Sequence, residues 1–501
     1  MGIRKWIGFL KNMAVPCSDL GRRENGGGRG GEGIGWLGSG GALWRSMDEW
    51  RSRVAGGLDA AYSGLRVLSP GALLGWVRRP QFFAGGFGDV ERAVKARADA
   101  LDDVGRGRYA PGSADGAPRD LELAKWGGVG RGERAGARGR GRRGGGRKRV
   151  AKDAGGDGDG VGGKEWGDGE VVVYEGSFTS PAAEGLPEEV TRRAHFQLVT
   201  TAGLEEGKVP LRGAVVLFSM TGDMGYSTRR RWAEGLAREG FVSVLLLPAC
   251  YGVRRPAYQR SHYVHTVAEF VTQSTASITE GASLLVWLHA RYPRGTPLGV
   301  AGFSWGGAMA SCAAAAVSSF SPPIACVSCM GSPSPEAVIQ GVLGRVDVDW
   351  NSLRRPPEGH GGVGQGKRRQ RPLAEVHAEV MDILRPSQFS TIVARNPQPC
   401  IGAARMLHAR HDWFIPPAEA ERLSHEMRGA LAKSMGGRAC DDGRYEVTPV
   451  GGGHATAFLG LSTFFVPTVV GAFDALPDPG GEGGGRRTRE GGRELAQGQV
   501  Q

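Results

Sequence analysis

The chain has no run of 18 or more consecutive apolar residues, which excludes an ordinary transmembrane helix. Glycine shows no strict every-third-residue period, which excludes collagen. Cysteine is sparse: seven residues, at positions 17, 250, 312, 326, 329, 400 and 440. An odd count scattered through apparent core strands suits a reducing compartment better than a disulfide framework. Cys326 and Cys329 form a lone CxxC inside the apolar run Ile324–Met330, and no second pair stands at zinc spacing. They read as buried strand cysteines, and no metal is expected. The opening MGIRKWIGFLKNMAVPCS carries basic residues and no acid before Asp19, yet its apolar stretch is too short for a secretory signal. A short organellar presequence, a membrane-surface helix and a frayed terminus all stay open. Trp6 stands where N-myristoylation requires Ser or Thr.

What the chain has in excess is glycine: 85 of 501 residues, about 17%, against roughly 7% in ordinary proteins. It concentrates in residues 21–41, from about Gly127 to Gly163, and in 479–501. These polar, Arg-rich tracts lack helical or alternating periodicity and cannot bury enough apolar surface to offset chain entropy, so disorder is expected. The resulting plan has a disordered or targeting N-terminus over 1–43 and a helical segment over 44–104. A Gly/Arg-rich linker over 105–167, a folded domain over 168–475 and a disordered tail over 476–501 complete it.

Charge follows the same division. Between Lys125 and Lys152 there are eleven Lys and Arg against one acid, Glu133, a surplus of +10. From Val171 to Asp478 the count is 29 basic and 27 acidic, 29 − 27 = +2. The formal net charge of +12 therefore belongs mainly to one linker. An Arg/Gly arm can bind RNA or anionic lipid. With Trp126 as its one aromatic residue for base stacking, a solvated spacer is the better reading, and nucleic acid is not the expected partner.

From 171 onward short apolar runs alternate with helical patterns. VVVYEGSF (171–178) and HFQLVT (195–200) read as paired edge strands, and AVVLFSM (214–220) as a buried strand before a helix over about 228–239. FVSVLLLP (241–248) precedes a long helix over about 263–291, and PLGVAGF (297–303) runs into the Ala-rich helix 305–317. IACVSCM (324–330), RMLHAR (405–410) and YEVTPV (445–450) complete the series, with helices near 417–432 and 455–465. Buried strands alternating with helices imply a mostly parallel sheet covered on both faces, an α/β fold. Residues 351–395 break the rhythm with the basic cluster Lys367, Arg368, Arg369 and Arg371 and a helix over 372–384. An insertion there is expected to form a lid over a pocket.

Gly302-Phe303-Ser304-Trp305-Gly306 fits G-x-S-x-G, in which a serine sits strained on a sharp strand-to-helix turn while glycines let neighbouring backbone pass. In a chain with 30 serines and this much glycine, about one such match arises by chance. Its place between an apolar strand and an Ala-rich helix gives it weight. A serine nucleophile needs a base and the base an orienting carboxylate, in chain order Ser, Asp or Glu, His. Asp412 follows the strand RMLHAR and His454 follows YEVTPV in a Gly-rich loop, so on a parallel sheet both share the edge of Ser304. An oxyanion hole would use the backbone N–H of Trp305 and one from the loop Ser219–Asp223, from Met220 or Thr221. Gly361–Lys367 begins like a phosphate loop, but Arg368 replaces the required Ser or Thr and no buried strand precedes it. His262 and His265 lack a third metal ligand, so capping or surface roles are expected.

With these motifs in hand, the chain resembles the α/β-hydrolase-domain-containing protein 18 family. The resemblance runs through Thr221-Gly222-Asp223, Tyr226, Arg229-Arg230-Arg231 and Tyr251-Gly252-x-Arg254-x-Pro256. It continues through Gly302-x-Ser304-x-Gly306-Gly307 with Met309-Ala310, Asp412 with Ile415-Pro416, and Gly452-Gly453-His454. Leu58-Asp59, Tyr62, Gly75-Trp76 and Phe178-x-Ser180-Pro181 add weaker matches, so that about 55–105 and 170–475 are covered. The lid region matches poorly, and Met220 stands where the family tends to have a small residue. The resemblance implies a serine-hydrolase fold with Ser304, Asp412 and His454 as triad, in an intracellular setting with mitochondria among the candidates.

The expected activity is cleavage of a carboxylic ester through an acyl-Ser304 intermediate, without cofactor or metal. Phe303 and Trp305 suit an acyl chain and point to a lipid ester. Arg229–Arg231 and Arg254–Arg255 are candidates for contact with a phospholipid headgroup or anionic membrane, against the alternative of exposed surface charges. The rival class is a non-catalytic protein of the same fold whose linker binds RNA or anionic membrane.

Overall fold

A computed structural model describes residues 80–126, 169–355, 370–437 and 443–477. The expectations for the N-terminus over 1–43, residues 127–167 of the linker, the phosphate-loop-like Gly361–Lys367 and nearly all of the C-terminal tail lie outside these residues.

Nine strands form one sheet in the order β1-β2-β3-β5-β4-β6-β7-β8-β9. They are β1 (Arg119–Lys125), β2 (Val171–Thr179), β3 (Arg193–Thr201), β4 (Gly213–Phe218), β5 (Phe241–Leu247), β6 (Leu298–Phe303), β7 (Ile324–Cys329), β8 (Ile401–Ala409) and β9 (Tyr445–Val450). The first three strands and the β3–β5 pairing are antiparallel. From β5 through β4, β6, β7 and β8 to β9 every pairing is parallel. Strands β4 to β7 are buried at every residue, which is why they read as continuous apolar runs rather than alternating ones.

Two layers of helix cover the sheet. On one face lie α1 (Val90–Gly105), α3 (Val267–Arg291), α4 (Trp305–Ala316), α5 (Leu373–Leu384) and α6 (Phe389–Arg395). On the other lie α2 (Ser227–Arg238) and α8 (His454–Asp474), where Trp232 stacks on Phe465 with ring centroids 4.4 Å apart. Helix α7 (Pro417–Ser434) joins β8 to β9. Helix α3 is fixed at its start by a capping box in which Thr266 and Glu269 exchange side-chain and backbone hydrogen bonds. This is the mostly parallel α/β sheet expected from the alternation of strands and helices, and the α/β-hydrolase fold that the resemblance implied.

Three expectations change. The linker expected over 105–167 begins no earlier than 127, because Arg119–Lys125 pairs with β2 as the true edge strand. The expected helical segment 44–104, described only from residue 80, is part of the hydrolase core: Phe82, Phe83, Ala93, Val104 and Tyr109 share one buried cluster with β4, β6 and α3. Among the described residues of the insertion 351–395 the expected helix forms, and its apolar side joins the core. Val376, Val380, Leu384, Phe389 and Ile392 are buried in that same cluster. Arg97 of α1, itself buried, donates to Ile383 O and Ser387 Oγ. An amphipathic insertion with this much apolar surface is stabilised more by joining the core than by covering a cavity.

The five described cysteines are buried and free, Cys326 and Cys329 among them. Burial pushes the Cys326 thiol up to about 12. Among the described residues no helix alone is long and apolar enough to cross a membrane, and no cluster of three His, Cys, Asp or Glu fits a metal.

Candidate active site

Parallel strands end on the same edge of a sheet, and the candidate residues follow four such ends: Phe218, Phe303, Ala409 and Val450. Ser304 is the hinge between β6 and α4, with φ 58° and ψ −125°, a conformation that a serine adopts only when its surroundings impose it. The flanking glycines show the constraint. A Cβ on Gly302 would lie 2.2 Å from Gly306 O, and one on Gly306 would lie 2.7 Å from Phe218 O. Helix α4 can thus press against the end of β4 while Ser304 N–H donates to Cys329 O at 2.8 Å.

His454 opens α8, and its Nε2 lies 2.9 Å from Ser304 Oγ. Its Nδ1 lies 2.7 Å from Asp412 Oδ2. Asp412 is itself pinned, since its Oδ1 accepts the backbone N–H groups of Phe414 and Ile415, each at 2.8 Å. The Asp412 and His454 loops are tied together by Arg410 N–H to Val450 O and His411 N–H to Gly452 O, both 3.2 Å. Asp412 and His454 are buried, which strengthens the electrostatics between them. Phe303 and Phe414 flank the imidazole, each with its ring centroid 5.0 Å away. Chemically, such a chain can take a proton from a hydroxyl, hold it on an imidazolium and return it to a leaving group.

Met220 and Thr221 reach the wall of the same cavity as Ser304. The N–H of Trp305, first in α4, has no acceptor within its own helix. The cavity measures about 360 Å³, and Phe303, Leu343, Phe414, Phe458 and Leu459 give it a mostly apolar wall. Leu343, in the segment after β7 and ahead of residues 351–395, is part of that wall. Phe414, Leu343 and Phe458 were not singled out in the sequence; Phe414, two residues beyond Asp412, had the clearest positional signal.

Of the five basic residues expected to meet a headgroup, Arg231 and Arg255 are exposed, whereas two are buried. Arg229 is 1% exposed and Arg254 0%, and they pair with Asp223 and Glu280 at 2.7 Å each. Neither reaches solvent, so neither is a surface charge or a headgroup contact. Arg230 lies over the Trp126 ring, 4.5 Å from its centroid. Of the two decoy histidines, His262 stacks against Tyr263 with centroids 4.0 Å apart.

With this geometry in view, residues 159–361 match the model of the family described as alpha/beta hydrolase domain containing 18. Several solved structures are similar in outline. A cold-adapted esterase from an Arctic intertidal metagenomic library has a TM-score of 0.35 and 13% identity, over 62% of this chain and 95% of its own. Acetyl xylan esterase 1 from a Thermoanaerobacterium species has a TM-score of 0.38 and 12% identity, over 75% and 95%. A glucuronoyl esterase from Teredinibacter turnerae has a TM-score of 0.33 and 12% identity, over 60% and 74%. At such scores no residue role is drawn from them.

Proposed function

With residues 159–361 matched to that hydrolase family, we propose that the chain is a serine hydrolase that cleaves a carboxylic ester of a lipid. The observation that carries this reading is the continuous chain from Ser304 Oγ through His454 to Asp412, with contacts of 2.9 and 2.7 Å. His454 Nε2 takes the Ser304 proton as Oγ attacks the ester carbonyl. The oxyanion forms against the Trp305 N–H and an N–H of Met220 or Thr221. The C–O bond to the alcohol then breaks, and the imidazolium returns its proton to the departing oxygen. A water, deprotonated by the same nitrogen, attacks the acyl-Ser304 carbonyl; the C–Oγ bond then breaks, the imidazolium returns its proton to Ser304 Oγ, and the acid leaves. Asp412 holds the Nδ1–H tautomer throughout. The apolar cavity favours an acyl chain over a charged or peptidic group.

Fluorophosphonate labelling of the purified protein tests the nucleophile. Labelling is expected in the wild type and lost in Ser304→Ala and His454→Ala, with Asp412→Asn lowering turnover about 10⁴-fold. Folded wild-type protein that takes no label and hydrolyses no member of an ester panel would refute the proposal and favour the non-catalytic class.

A further inference from the structure

We propose that Arg229 and Tyr251 are positioning residues that preset the oxyanion loop; this rests on the hydrolase reading above. The loop runs from Ser219 to Gly225, between β4 and α2. A loop that must present a backbone N–H to developing charge has to be fixed before the charge appears, because reorganising it during reaction would cancel the gain. Its internal bonds are short-range: Ser219 Oγ donates to Asp223 O at 2.9 Å and Met220 O at 3.2 Å, Asp223 N–H to Met220 O at 3.1 Å, and Met224 N–H to Gly222 O at 3.0 Å. Gly222 takes a φ of +86° that other residues rarely adopt.

Two external holds complete it. Arg229, on the first turn of α2, is 1% exposed and sends its guanidinium back into the loop. Nε donates to Asp223 Oδ2 at 2.7 Å and Nη2 to Gly225 O at 2.7 Å. Nη1 donates to Leu217 O at 3.0 Å and Leu246 O at 2.6 Å. Four acceptors thus converge on one planar fork: two from the loop, one from β4 and one from β5. An ammonium cannot reproduce that arrangement. From the other side, Gly222 N–H donates to Tyr251 Oη at 3.3 Å. Tyr251 is followed by a turn whose Arg254 carries a second buried fork. Arg254 N–H donates to Tyr251 O at 2.9 Å, while the Arg254 guanidinium bonds Leu247 O at 2.7 Å and both carboxylate oxygens of Glu280. Burying two arginines is costly unless every donor finds a partner. Three of the acceptors here, Leu217, Leu246 and Leu247, lie at the carboxyl ends of two adjacent strands, the place where the loop's direction is set.

The test uses the full chain with Arg229→Lys and Tyr251→Phe, the second being the mild change should the first fail to fold. Steady-state kinetics on a p-nitrophenyl ester are combined with hydrogen exchange and thermal melting. The expected result is a fall in kcat of about 10- to 100-fold with KM within twofold, together with faster exchange confined to residues 220–225. Wild-type kcat in folded Tyr251→Phe and Arg229→Lys, while Ser304→Ala is inactive, would overturn the positioning role and leave the hydrolase reading intact. A loss of kcat that only tracks a loss of folded protein would also overturn it. A folded wild type without turnover or fluorophosphonate labelling would overturn both.

Discussion

The ring of Phe414 stacks on the imidazole of His454, with centroids 5.0 Å apart and planes inclined by 28°. The same residue donates its backbone N–H to Asp412 at 2.8 Å, so it bears on both partners of the histidine–carboxylate pair. Phe414→Ala removes the ring and keeps the amide. The expected outcome is a kcat lowered by up to about 100-fold through a loosened imidazole. Retained fluorophosphonate labelling would show that the nucleophile survives, and an unchanged kcat would show that the stack is only packing.

The elbow glycines bear on folding before they bear on chemistry. Gly302→Ala places a methyl 2.2 Å from Gly306 O, 2.3 Å from Gly306 C and 2.8 Å from Gly307 N, against backbone that cannot yield without moving the start of α4. A loss of about 3 kcal/mol or more is expected, measured as a fall in the urea midpoint. Gly429→Ala on α7, where nothing lies within 4 Å of the added carbon, serves as the unstrained control and is expected to gain about 0.5–1 kcal/mol from helix propensity.

Acyl preference is expected to follow the apolar wall. Phe458→Ala enlarges the cavity beside Ser304 and is expected to shift the best chain length upward by several carbons. One methylene in an apolar pocket is worth about 1–3 kcal/mol of discrimination. An ester series from acetyl to palmitoyl reads this directly. An unchanged optimum would place the chain elsewhere.

Stability is expected to fall with acid from three imidazoles, His195, His289 and His408, each held below the usual value of 6.5 by burial. Arg254 and Arg193 add to the effect at His195. A depressed folded pKa means that the unfolded chain takes its protons first. The contribution is therefore present above about 6.5 and lost as pH falls through the folded values. Glu336 has the opposite sign: burial raises it, so its contribution is present below 4.5 and lost as pH rises through its folded value. A double His195→Gln, His408→Gln variant is expected to flatten the decline in urea midpoint between pH 6.5 and 5. An equally steep decline would exclude these two residues as its source.

The parallel sheet, the elbow and the order Ser304, Asp412, His454 were legible because each depends on local pattern. An apolar run ending at a small-residue turn looks the same in sequence and in space. The buried arginines were not legible. Arg229 stands in a run of three arginines, which ordinarily reads as a solvated helix face; only the meeting of two strand ends with the β4–α2 loop supplies acceptors for its fork. The role of 351–395 was hidden for a related reason, since an amphipathic helix reads alike whether its apolar side covers a pocket or joins a core. Strand β1 escaped because RDLELAK carries four charges and buries no residue fully.

Those same charges give β1 a bearing on how copies of the chain meet. An uncovered strand edge is a template on which another chain can extend the sheet, and β2, with VVVYEGSFT, would be an apolar one. Strand β1 occupies that edge and turns Arg119, Asp120, Glu122 and Lys125 outward, with Asp120 and Glu122 both bridged to Arg193. The segment thereby acts as a guard against sheet-to-sheet association, and its worth would be felt as solubility at high protein concentration rather than as turnover.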